Sequence, residues 1–228
     1  MAPTLDQGRA WMARGTDLCQ QALDALNDEA LAQPSALPGW SRAHVVAHLD
    51  GNARALGNLV VWASTGVETA MYVSPTQRNE DIEAGAVLPA AELRARFAES
   101  CDALTDGLTG LSAEGWSAEV RTIQGRIIPA SMIPWLRSRE VMIHSYDLLG
   151  GVGFDQFPED FLDLSGAGKL KRDTVPGQHP QHRELRLDEV VAAALGFHAA
   201  HDLLGLDECH VRDRRVTDDG FPIGQIVG

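Results

Sequence analysis

The chain has 228 residues, 44% of them hydrophobic, and a formal charge of -13 from 19 basic and 32 acidic side chains. That length suits one large domain or a main domain with an appendage, and the acidic balance excludes nucleic acid, whose phosphates need a concentrated basic surface. No apolar run approaches the roughly 20 residues that span a bilayer, and the start, MAPTLDQGRAW, lacks the basic and apolar regions of a signal peptide, so a cytoplasmic protein with no membrane partner is expected.

Thr4-Leu5-Asp6-Gln7 has the form of a capping box, and Trp11, Leu18, Ala22 and Leu26 recur at helical spacing, predicting a first helix from about Leu5 to Leu31. Pro38-Gly39 breaks the chain, Ser41 caps a second helix, and Trp40 is placed to staple onto Val45. Val45, Leu49, Leu56 and Val60 carry that helix forward. MYVSPTQRNEDIEAGA shows little periodicity and reads as a loop, after which Pro89 opens a third helix. VRTIQGRIIPA reads as a short extended excursion around Gly125, and a fourth helix runs up to Gly150-Gly151. Residues 164–183 are polar and rich in Gly, Pro and basic residues, which marks a linker. Leu187 to Leu204 form another helix, and a terminal hairpin turns at Asp219-Gly220. Cys19, Cys101 and Cys209 are odd in number with no CxxC, so they form neither a disulfide framework nor a cysteine zinc site. The expected class is mainly α: residues 1–160 a metal-binding four-helix bundle, and 161–228 a small α+β C-terminal appendage of linker, helix and hairpin.

The fourth helix carries REVMIHSYD, in which Glu140 and His144 stand four apart and so share one helical face, their Cβ atoms about 6 Å apart. Their stripe, Ile133, Leu136, Glu140, His144 and Leu148, is otherwise an apolar seam, where an unpartnered carboxylate is costly. On the second helix HVVAH places His44 and His48 four apart, with Asn52 a turn later. His48 lies closer to the Val45, Leu49, Leu56 seam and is the better inward candidate. With Glu140 and His144 it makes a two-histidine, one-carboxylate set that leaves a position open on a divalent metal, zinc first and iron as the other ion these ligands suit. Spacing alone leaves a hydrogen-bonded core histidine, or Glu140 paired with Arg137 or Arg139, as open readings. A rival set, His198 and His201 with His210 nearby, has no carboxylate in an apolar seam and ranks lower.

PGWSRAHVVAHLDGNARAL, MYVSPTQRNEDIEAGA and REVMIHSYDL, in this order and separation, resemble the mycothiol-dependent maleylpyruvate isomerase family, among the DinB-like helical bundles. The resemblance implies a zinc held by His48, Glu140 and His144. It also implies a DinB-like four-helix bundle, mycothiol as thiol cofactor, and an arginine in the loop after the second helix that holds an anionic substrate, here Arg78. Read from spacing alone, Arg78 is a solvated cation near Glu80 or Asp81. A planar guanidinium suits bidentate carboxylate recognition and supplies the local positive charge that an acidic protein needs for an anionic substrate. The implied reaction is isomerisation of maleylpyruvate to fumarylpyruvate. Transfer of mycothiol to another electrophile is the alternative, and a non-catalytic metal-binding bundle is a third reading. The resemblance fades after about residue 163, where relatives carry an α/β domain with a further substrate-binding arginine. Arg212, Arg214 and Arg215 are candidates for that role with no secure alignment.

Overall fold

The computed structural model describes residues 2–165. The expected linker beyond that point, the helix at Leu187 to Leu204 and the terminal hairpin lie outside the described residues. So do His198, His201, His210, Cys209 and the three candidate arginines between 212 and 215.

Helix α1 spans Leu5–Asp24 and starts as the capping box requires, with Thr4 Oγ1 accepting from Gln7 N–H and the Gln7 side chain accepting from Thr4 N–H. It stops about two turns short of the expected Leu31. Arg94 reaches across from a later helix and donates to the carbonyls of Leu23 and Leu26, both at 2.7 Å, satisfying the helix end. Asn27 then caps a separate short helix, α2, over Asp28–Leu31.

Helix α3, Arg42–Thr65, is capped by Ser41 and ends at Gly66. The segment read as a loop is instead largely a helix, α4, over Pro75–Ala86, with Ser74 as N-cap and Pro75 in its first turn. Its periodicity is hidden because the stripe it buries is Arg78, Ile82 and Gly85, only one of which is a large apolar residue. Gly85 lets α4 press onto α3: a Cβ there would sit 2.7 Å from the Ala47 Cβ.

Helix α5 spans Ala90–Thr109 and a short α6 spans Ala113–Ser117. The extended excursion is a β-hairpin, β1 (Glu119–Arg121) against β2 (Ile127–Pro129), antiparallel with Val120 opposite Ile128 and turning through Gly125. Helix α7 covers Ile133–Asp147. The long helices α1, α3, α5 and α7 form the bundle, with α1 lying along α7, α3 along α5, and α3 also facing α7. Trp11, Leu18, Leu23, Val45, Leu49, Phe97, Val141 and Met142 are buried between them, and burying each large side chain contributes about 1.5–3 kcal/mol.

Helix α8, Glu159–Ser165, straddles the expected division at residue 160. Phe161 and Leu162 are buried in the bundle core, the Phe161 ring packs edge-on to Trp11 at 5.7 Å, and Trp11 Nε1–H donates to Asp160. The first residues assigned to the appendage thus pack on the bundle. Among the described residues no helix is long and apolar enough to cross a membrane.

Candidate metal centre

Helices α3 and α7 face one another at the level of His48 and Glu140. Glu140 and His144 are one turn apart on α7, and Glu140 Oε2 lies 2.9 Å from His48 Nε2 and 3.5 Å from His144 Nε2. One donor atom from each of the three falls within 4.8 Å of the others, and the two imidazoles meet edge to face at 4.9 Å. The pairing of Glu140 with Arg137 is not what forms. Arg137 is buried and donates to Leu49 O, Asn52 Oδ1 and Cys101 Sγ. Arg139 lies over the Trp135 ring at 5.8 Å, close enough to Glu140 to interact through charge.

The three groups titrate in different directions. Burial pushes His48 down to about 4, so it is neutral at pH 7 despite the carboxylate beside it. Burial also acts to lower His144, but hydrogen bonds to Asp147 and Glu140 outweigh it and raise the group to about 9. Burial acts to raise Glu140, and the hydrogen bonds from the two histidines overcome it, holding the carboxyl well below its usual range.

His144 is oriented from behind. Its Nδ1–H donates to Asp147 Oδ2 at 2.8 Å, and Asp147 is fully buried at the end of α7. A carboxylate on the far nitrogen turns the other nitrogen, Nε2, toward the centre and raises its basicity. The spacing His144 to Asp147, i to i+3, carried this signal in HSYD. A buried partner carboxylate cannot be told from a solvated one by spacing alone.

His44, the first histidine of HVVAH, stays out of the centre. It is the N3 residue of a capping box, with Nδ1 2.7 Å from Ser41 Oγ and accepting from Ser41 N–H, and its Nε2 lies 3.4 Å from Glu83. Trp40 stacks on His44 and tilts against His48 at 5.7 Å.

Arg78 reaches the centre from α4, a helix rather than the expected loop. It is buried, donates from one terminal nitrogen to His48 Nδ1 at 3.2 Å and from the other to Asn79 Oδ1, and lies over the Tyr72 ring. A cavity of about 360 Å³ opens beside it, bordered by His48, Asn52, Tyr72, Arg78, Arg139 and Glu140. Thr122, Ile123 and Gln124 at the hairpin tip form its far wall. Sequence reading missed that role of the hairpin, because nothing local to VRTIQGR says which helix end it covers.

Two imidazoles and a carboxylate converging from two rigid helices fit a zinc-type ion, whose catalytic sites combine three protein ligands with an open position. Asp147 supplies the outer hydrogen bond such a site uses. Two of the three ligand side chains, His48 and Glu140, also line the cavity beside Arg78.

The mycothiol maleylpyruvate isomerase N-terminal domain matches residues 12–149 of the chain. Among solved structures, a mycothiol-dependent maleylpyruvate isomerase is 40% identical with a TM-score of 0.69, covering 72% of this chain and 69% of that one. A histidine-to-alanine variant of a mycothiol-dependent maleylpyruvate isomerase is 39% identical, with the same coverage and TM-score. No curated protein matches. With a domain match over more than half of its length and these structural neighbours, the chain belongs to the mycothiol-dependent maleylpyruvate isomerase family, a family of enzymes.

Proposed function

We propose that this chain isomerises maleylpyruvate to fumarylpyruvate with mycothiol as thiol cofactor, at a zinc held by His48, Glu140 and His144, with Arg78 binding the substrate. The observation that supports this most is that His48 and Glu140 of the three-ligand cluster line a cavity walled by a buried arginine. Zinc there would supply a Lewis-acid position that favours the thiolate of mycothiol at neutral pH, and that thiolate is the nucleophile whose reversible addition turns the cis double bond into a rotatable single bond.

The chain's own residues do the positioning. Asp147 holds the His144 ring by its Nδ1–H. To ligate, His48 must present the Nε2 lone pair and carry its proton on Nδ1, where Arg78 now donates. That hydrogen bond is then given up, and the guanidinium can turn its fork toward a substrate carboxylate. The hairpin tip and Tyr72 close the cavity walls and lower the local dielectric, strengthening that charge pairing.

The test is to incubate zinc-loaded protein with mycothiol and maleylpyruvate. Fumarylpyruvate formation with all thiol recovered is the expected result. A stable thioether product would make the chain a mycothiol S-transferase, and absence of thiol chemistry would leave a metal-binding bundle.

A further inference from the structure

Asn52 sits one turn after His48 on α3, is 7% exposed, and borders the cavity with His48, Arg78 and Glu140. Its orientation is set from inside the protein. Arg137, 1% exposed, donates to Asn52 Oδ1 at 2.8 Å, and the same nitrogen donates to Leu49 O at 2.8 Å while the other reaches Cys101 Sγ. An arginine can only donate, so the Asn52 carbonyl must face it and the amide NH₂ must face away. Among the described residues no protein acceptor takes the Nδ2 hydrogens, and Nδ2 is not among the fully enclosed orphan atoms. An NH₂ that is neither enclosed nor paired, on a residue bordering the cavity, is a donor held ready for a ligand oxygen. A buried guanidinium with no carboxylate in ion-pair range among the described residues is a costly way to orient one amide, which argues that the orientation matters.

We propose that Asn52 Nδ2 is a substrate-contacting donor that binds the conjugated carbonyl oxygen of the substrate as negative charge develops on it, a role that rests on the isomerase reading above. When a thiolate adds to the alkene, a C–S bond forms and the π pair moves through the conjugated system onto that carbonyl oxygen. Re-formation of the C=C bond in the trans geometry returns the pair and expels the same thiolate, so no other reactant is consumed. A preoriented N–H aimed at the developing oxyanion stabilises this state and costs no reorganisation. Arg78, in contact with His48 on the same cavity, takes the carboxylate, dividing recognition of the substrate between a charged fork and a neutral donor.

Asn52→Asp tests this, because the carboxylate keeps the acceptor that Arg137 needs and removes only the N–H donor. The expected result is parental zinc content, a melting temperature at or above the parent's, and a kcat lowered about a hundredfold with KM changed less than about threefold. Unchanged kcat, or a loss confined to KM, would overturn the proposal, the latter because it reports simple repulsion of an anion. A second measurement needs no turnover. In ¹⁵N-labelled protein, the Asn52 NH₂ signals, assigned by their loss in Asn52→Asp, should shift on titration with acetylpyruvate, a dioxo acid without the alkene. Shifts at Arg78 without shifts at Asn52 would overturn it, as would no shift at either. Parental isomerisation by Asn52→Asp would remove the donor role and leave the isomerase reading standing. Acetylpyruvate-dependent Asn52 shifts in a protein that isomerises nothing would leave Asn52 as a ligand donor and overturn the isomerase reading together with the oxyanion role that rests on it.

Discussion

His144 and Asp147 are joined by a 2.8 Å hydrogen bond inside the bundle, Nδ1–H to Oδ2, and Asp147 has no exposed surface at all. If this bond orients a metal ligand, Asp147→Asn should weaken zinc binding by about 10–100-fold while the metal-free helical content is retained. Competition with a chromophoric chelator measures the affinity, and an unchanged dissociation constant would refute the role.

Zinc uptake should release one proton per ion at pH 7. His144, raised to about 9, is protonated in the metal-free protein, His48, lowered to about 4, is already neutral, and Glu140 is ionised. Only His144 must lose a proton to ligate, so affinity should rise with pH up to about 9 and level off above it. Calorimetry in buffers of different ionisation enthalpy counts the protons. Release of none at pH 7, or of two, would contradict these assignments.

The two histidines of HVVAH should respond oppositely. His144→Ala and His48→Ala should abolish stoichiometric zinc, whereas His44→Ala should retain it and lose at most about 1 kcal/mol of stability, as for a lost helix cap. Elemental analysis of the three proteins decides, and full occupancy in His144→Ala would sink the ligand set.

Arg78 separates substrate binding from metal binding. Arg78→Lys keeps the charge and loses the fork, so kcat/KM should fall with zinc content intact. Arg78→Ala removes a buried charged hydrogen bond, typically about 2–5 kcal/mol, and should lower kcat/KM by roughly tenfold or more. Steady-state kinetics beside metal analysis of the same preparations checks both, and unchanged efficiency in Arg78→Ala would remove this residue from the substrate site.

The packing of α1 on α7 holds the ligand helix in place, and Gly15 lies directly against Val141 and Met142. A Cβ there would collide with Val141 Cγ2 and sit 3.1 Å from the Met142 backbone nitrogen. Gly15→Ala should therefore destabilise the fold by about 1–3 kcal/mol, read from denaturant midpoints, and should lower zinc affinity as α7 shifts. A midpoint equal to the parent's would show that the helices can part without cost.

By itself the sequence determined what short-range physics controls. Thr4 with Gln7 and Ser41 before Arg42 start helices by capping, and the four-residue spacing of Glu140 and His144 puts both on one face of α7, because 3.6 residues per turn leaves no other arrangement. A polar pair in an apolar seam, with the seam beside His48, pointed to the three side chains that the helices bring together, while His44 turns to Ser41 and Glu83. Tertiary structure decided the rest. Helix α1 ends at Asp24, where Arg94, far along the chain, takes the carbonyl of Leu23 and that of Leu26 just past the helix. Helix α4 forms around a stripe of Arg78, Ile82 and Gly85 whose burial comes from α3 and the site, so no local hydrophobic period announces it. Asp147 becomes a partner of His144, and Arg137 an anchor for Asn52, only once the bundle excludes water from both. Hydrogen bonds among charged groups gain their strength from burial, and burial is a property of the packed helices rather than of any one segment.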